Sequence, residues 1–355
     1  MQQLHQYIER HSGRICDEQL IGDPLIQWLY HPIREKAPQL FQLLVSARPS
    51  ALLSWWHYSR MLNGRLSTKT RALLTSGGVM IECLEPPERL NTARKVFERQ
   101  IRYWVYRPLP NEVDAILSPA DAKALVGSLS NHPYLEIKGH FFDLPELLGD
   151  RPLWREVFEF ADFAVFRLTP EKYHYNHTPV AGEVVDFYQI EGNFHSCNPG
   201  AIVAEVTPYS KNRRVVTIID TDVPNGSGVG LVAMIEVVAM MIGEIEQFYC
   251  EDQYHAPQPI KKGMFLRKGV PKSRYRPGSS TDILLFQSGR IQFADDLVRN
   301  QQRGDVRSRF TSGFKKPLVE TDIQVRSLLA LPALGAETAP LHRKPLLKTE
   351  STHGK

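Results

Sequence analysis

Apolar residues recur at three- and four-residue spacing through residues 4 to about 71, in LIGDPLIQWLYHPI and again in ALLSWWHYSRML, which predicts helices. Beyond about residue 97 the pattern shortens to apolar runs bounded by Gly, Asn and Pro with period-two alternation, which predicts a β-rich core. One such run, 282–286, follows a Gly-Ser-Ser-Thr turn and reads as a strand. The most apolar window, 228–245, carries Glu236 near its centre and several glycines, so buried strands are expected there rather than a membrane helix. A buried Glu236 needs a partner, and Arg213 or Arg214 is the expectation. From about residue 318 the chain becomes rich in Pro, Leu, Lys and Arg and loses periodicity, which predicts a basic flexible tail. The expected fold class is α+β: a mainly helical region over 1–96, a β-rich core over 97–317 and a tail over 318–355.

With 355 residues and 42% hydrophobic content the chain can form one large domain or two modest ones. Its four cysteines, Cys16, Cys83, Cys197 and Cys250, contain no C-x-x-C pair, so neither a disulfide framework nor a zinc knuckle is expected, and a reducing, cytoplasmic compartment fits. The net charge of +4 is ordinary for a solvated surface. The polar N-terminus MQQLHQYIERHSGR has no signal-peptide core. No phosphate-cradling glycine loop is present, and neither nucleotide chemistry nor a nucleic-acid partner is expected. The run 40–62 combines Trp55, Trp56 and Tyr58 with Arg48 and Arg60. It reads either as an interfacial helix at a membrane surface or as a helix packed on the protein's own core.

Candidate chemistry gathers in three passages. The first holds Asp121, in AILSPADAKALVGSLSNHPYLEIKGHFFDLPELLG. The second, FRLTPEKYHYNHTPVAGEV, holds His174 and His177. Two histidines at i and i+3 could share a helix face as metal ligands, but Pro170 and Pro179 crowd them and no Cys or carboxylate cluster completes a shell, so no metal is expected. An imidazole titrating near neutrality can instead deprotonate a hydroxyl and return a proton to a carbanion. The third passage, KGVPKSRYRPGSSTDILLF, offers Ser279 and Ser280 after Gly278.

With FERQIRYWVYRPLP at 97–110, and with EGNFHSCNPG and MIEVVAMMIGEI further on, these passages resemble the phosphatidylserine decarboxylase family in order and spacing from about residue 97 to 286. The resemblance implies a self-cleaving chain in which a serine after glycine becomes a pyruvoyl group, the electron sink for loss of CO₂ from an amino acid. It implies that Asp121 orients His177, that His177 takes the serine's proton, and that His174 serves decarboxylation, with Ser279 preferred over Ser280 as pyruvoyl precursor. A phospholipid substrate at a peripheral membrane surface is implied, and a homo-oligomer is left open. A pyruvoyl decarboxylase of a soluble amino acid and a non-processing, lipid- or partner-binding relative are the alternatives. Ala122 stands where the family usually has glycine, which would strain any positive φ there. Ala181-Gly182 replaces an Asp-Gly or Asn-Gly pair, and one extra residue lies between Lys268-Gly269 and Phe286.

Overall fold

The run Ser280–Phe286 has no solvent face: Leu284 and Phe286 enter one hydrophobic cluster, Ile283 and Leu285 another. A strand buried on both sides belongs at the centre of a sheet. A computed structural model describes residues 4–20, 23–46, 64–65, 79–130, 141–239, 244–278 and 280–333. Its strands are, in chain order, β1 (Gln6–Glu9), β2 (Ile15–Asp17), β3 (Ile116–Leu117), β4 (Ala122–Ser128), β5 (Asp162–Leu168), β6 (Tyr175–His177), β7 (Gly182–Ile190) and β8 (Arg214–Asp220). They continue with β9 (Leu231–Val238), β10 (Ile245–Gln247), β11 (Phe265–Leu266), β12 (Pro271–Tyr275), β13 (Ser280–Phe286), β14 (Ile291–Phe293), β15 (Thr321–Ile323) and β16 (Leu328–Pro332).

Ten strands form one sheet in the order β11-β7-β8-β9-β13-β5-β4-β15-β1-β2, and two three-stranded sheets, β10-β12-β6 and β14-β16-β3, complete the β structure of the described residues. Strand β13 pairs antiparallel with β9 and β5 along its whole length. Helices are short, and the chain is of mixed α+β class.

Both ends of the chain depart from expectation. Residues 6–17, predicted helical, are a hairpin whose first strand runs parallel to β15, because Ile8 alternates into a small core with Val306 and Val319. Helices follow at Asp23–Trp28 and Pro38–Val45, where Ile26, Tyr30, Phe41 and Val45 form a core of their own. The rest of the aromatic and basic run, from Arg48 to Leu62, lies outside the described residues. The predicted tail does not begin at 318: β15 is inserted between β1 and β4, and β16 pairs with β3. Its buried residues, Leu318, Val319, Ile323, Val325 and Leu329, are too few per strand to stand out among the Pro and Lys around them.

Glu236 lies on β9 as a buried strand residue, but neither arginine reaches it. Val215 is its neighbour on β8, so Arg214, one position away, points to the opposite face and binds the carbonyls of Leu147 and Asn212. Arg213 lies beside Glu191 instead. The partner of Glu236 is Lys272, at 2.7 Å, the extra residue of a bulge in β12 that turns its side chain inward. Ala122 opens β4 and is not among the residues of positive φ, so the loss of glycine there costs no strain.

Gly182 has a clear reason to be glycine, since a Cβ there would meet the Asp220 carbonyl oxygen at 2.3 Å across the β7–β8 pairing. Gly182→Ala is expected to lower stability by about 1–3 kcal/mol, read as a shift of the urea midpoint.

Candidate active site

Asp121 immediately precedes β4, and its buried carboxylate is fully engaged. Arg107 donates from Nε at 3.0 Å and from Nη2 at 2.8 Å, and the Val325 amide donates at 2.8 Å. Arg107 holds Glu82 with its other edge, at 3.0 and 2.9 Å. Burial alone would raise the Asp121 carboxyl, but the Arg107 charge and its hydrogen bonds outweigh that and keep it below the usual carboxylate range.

His177 closes β6, and its backbone amide donates to the Pro119 carbonyl at 2.7 Å, which joins the histidine passage to the Pro-Ala-Asp turn. Its Nδ1 lies 3.1 Å from the Gly269 carbonyl oxygen, which can only accept, so the ring proton sits on Nδ1 and Nε2 is the basic nitrogen. Nε2 faces the Tyr173 hydroxyl at 3.1 Å, and that hydroxyl lies 2.8 Å from the hydroxyl of Tyr254. Burial pushes the imidazole down to about 3, so it enters the fold neutral. The expected Asp121–His177 hydrogen bond is therefore not formed. A guanidinium fork matches a carboxylate better than one ring N–H does, and a backbone carbonyl fixes the tautomer in the carboxylate's place.

His174 is held differently. Its ring stacks on Phe97 with centroids 3.5 Å apart, and neither ring nitrogen makes a hydrogen bond of ordinary geometry among the described residues, although the Lys172 backbone lies near enough to oppose the effect of burial. Burial first, and the nearby Arg99 charge second, push its pKa well below the ordinary value. The chain from His174 to His177 is extended and not helical, so the two rings share no helix face as a metal pair would require.

Of the two candidate serines, Ser279 lies outside the described residues. Ser280 is the first residue of β13, opposite Leu168 on β5 and Val238 on β9, and its buried hydroxyl has no partner among the described residues. The two-residue period places it on the face of Leu284 and Phe286, whose cluster also contains Leu168, Tyr275 and Phe97, the residue stacked on His174. Strand β12 ends close by, with the Tyr275 amide donating to the His174 carbonyl at 2.9 Å. A buried hydroxyl without a partner, on the side of the sheet that carries a base with free nitrogens, fits a serine that is to become a reactive carbonyl.

A cavity of about 600 Å³ opens on the Asp121 side, bordered among others by Arg99, Arg107, Lys123, Glu171 and Lys172, but not by His174, His177 or Ser280. Sequence reasoning missed Arg107, Tyr173 and Phe97. All three stand within or beside the quoted passages, yet nothing in the local sequence names the side chain each would meet.

The sequence model of the phosphatidylserine decarboxylase family matches residues 93–311. Among curated relatives, the phosphatidylserine decarboxylase proenzyme of Fusobacterium nucleatum is 28% identical over 313 residues, 87% of this chain and 96% of the relative. The proenzymes of the same name from Saccharophagus degradans and Azotobacter vinelandii are 31% and 34% identical, over 61% and 54% of this chain and 77% and 68% of their own.

Proposed function

The chain belongs to the phosphatidylserine decarboxylase family, and on that premise we propose that it is a carboxy-lyase that converts phosphatidylserine to phosphatidylethanolamine and CO₂ after cutting itself at Ser280. The observation that carries the residue assignment is the Ser280 hydroxyl, buried without a partner among the described residues on the face of β13 whose cluster includes Phe97, the ring stacked on His174.

In the first step a histidine takes the Ser280 proton and the hydroxyl oxygen attacks the carbonyl carbon of residue 279. The C–N bond breaks, leaving an ester and a free amino group on residue 280. Loss of the α-proton of residue 280 and cleavage of its Cβ–O bond release a carboxyl end at residue 279. Water then hydrolyses the dehydroalanine left on residue 280 to a pyruvoyl group and ammonia. His177 is the proposed base, neutral and of fixed tautomer, once the Tyr173 hydroxyl yields its basic nitrogen. Asp121 acts at one remove, by holding Arg107 and the backbone at Val325. The pyruvoyl carbonyl supplies the electron sink for loss of CO₂. His174, with both nitrogens open, is the group that holds a proton for the carbon left behind.

His177→Ala is expected to leave uncut precursor on a denaturing gel, whereas His174→Ala is expected to be cut yet to lose about 10²–10⁴-fold in turnover, the usual worth of a general acid. Normal processing and turnover in both variants would remove the two histidines from the mechanism.

A lipid substrate brings the reacting carboxylate to headgroup level. No helix of the described residues is long and apolar enough to cross a membrane. Leu25, Trp28 and Leu40 are exposed at 63%, 53% and 44% on the helices that lead into the aromatic and basic run, which supports a peripheral surface contact by the N-terminal helices. The test is CO₂ release from phosphatidylserine in anionic vesicles and from free serine, alongside vesicle flotation. Turnover of the lipid alone, by protein that floats with the vesicles, is expected. Turnover of the free amino acid alone would reassign the substrate.

A further inference from the structure

Two residues beyond Ser280 on the same face of β13 lies Asp282, directly opposite Glu236 on β9, and both are 0% exposed. The two carboxyl groups are treated very differently. Glu236 receives Lys272 at 2.7 Å and Gln247 at 3.2 Å on one oxygen, and Asn176 at 3.1 Å and the Ser273 hydroxyl on the other. Four donors, one of them cationic, make it a carboxylate neutralised by Lys272.

Among the described residues Asp282 makes one hydrogen bond, between Oδ1 and the Tyr275 hydroxyl at 2.6 Å, and Oδ2 has no partner. The same hydroxyl lies 2.9 Å from the Thr281 carbonyl oxygen. A tyrosine hydroxyl has one hydrogen, and both neighbours are oxygens, of which the carbonyl can never donate. The count closes when Asp282 carries a proton, donates it to the Tyr275 oxygen, and Tyr275 donates to Thr281. An ionised Asp282 would set two negative charges against the single positive charge of Lys272, with all three groups 0% exposed. Burial, and then the charge of Glu236, hold the Asp282 carboxyl well above the ordinary range, in the same sense.

We propose that Asp282, as a neutral acid, and Tyr275 form a latch across the cut, in which Tyr275 near the end of one piece grips Thr281 and Asp282 at the start of the other. The latch rests on the reading that the chain cuts itself between Gly278 and Thr281. Asp282 is then a positioning residue: before the cut it fixes the backbone that carries Ser280, and after it the new chain end stays beside Tyr275.

Infrared spectroscopy of the full-length protein at neutral pH tests the protonation directly. Native protein is expected to show the band of a protonated carboxyl group, absent in Asp282→Asn. This readout does not depend on cutting: a cut chain without the band would overturn the latch alone, and an uncut native chain with the band would overturn the cut and the latch's role across it. In processing, Asp282→Asn keeps a neutral donor and is expected to cut within about threefold of the native rate, while Asp282→Val is expected to be at least about tenfold slower, with the Tyr275 hydroxyl left without its donor. Asp282→Asn as slow as Asp282→Val, or Asp282→Val as fast as native, would overturn the latch. Should Asp282→Val not fold, Tyr275→Phe removes the same relay and is expected to be equally slow; native speed in that variant would overturn it too.

Discussion

Ser280→Ala is expected to run as a single uncut chain and to lose turnover by at least about 10⁴-fold, the scale on which a missing nucleophile is felt. Ser279→Ala is expected to be cut. Ser280 opens a strand paired on both sides, and its hydroxyl is buried with no partner. Removing an unsatisfied buried hydroxyl is near neutral for stability or favours the fold by about 1 kcal/mol, so the variant should melt no lower than native protein. That separates lost chemistry from lost structure. In native protein the piece that follows the cut supplies β13 at the centre of the main sheet and β15 between β1 and β4, so the two pieces should separate only in denaturant. The reverse pattern, with Ser279→Ala uncut and Ser280→Ala cut, would transfer the role to the residue that follows Gly278.

Much of this site was legible in sequence because its parts are local. The Pro-Ala-Asp turn, the histidine pair and the serine before an apolar strand each read as a short passage, and the fold joins the His174 backbone to Tyr275, whose hydroxyl meets Thr281 at the start of β13. What was not legible is long-range. Asp121 was expected on His177, but its carboxylate meets Arg107, fourteen positions earlier, and the amide of Val325, while His177 meets Gly269. Glu236 was expected on an arginine at the start of the neighbouring strand β8, and a bulge in β12 delivers Lys272 instead. The terminal strands β1, β2 and β15 are three or four residues long, too short for periodicity to stand out, and they are fixed by pairing with one another rather than by their own propensity.

The acid limb of stability should report the neutral histidines. In the unfolded chain an imidazole titrates near 6.5, whereas burial holds His177 at about 3 in the fold, so protons bind the unfolded chain more tightly below pH 6.5. The stability that goes with neutral His177 is complete above pH 6.5 and is lost as pH falls towards 3, at about 1.4 kcal/mol per unit, or about 2 kcal/mol by pH 5. His174 and His195, also lowered by burial, act in the same sense. Asp282, raised by burial, acts in the opposite one, because it keeps a proton that the unfolded chain loses above about pH 4. The carboxylates of Asp121, Glu236 and Glu320 are held low by Arg107, Lys272 and Arg167 against their burial, so their contribution is present above the unfolded carboxylate range and falls away only in stronger acid. Between pH 6.5 and 5 Asp282 therefore opposes the histidines, and a difference between variants that both keep it cancels its share along with the rest. In the uncut Ser280→Ala background, urea unfolding of a His177→Gln variant is expected to show a slope with pH on average about 1 kcal/mol per unit shallower than its parent over that interval. Equal slopes would mean that burial does not lower His177 and that the ring titrates in the fold as it does in the unfolded chain, which would remove the argument that it enters the fold neutral.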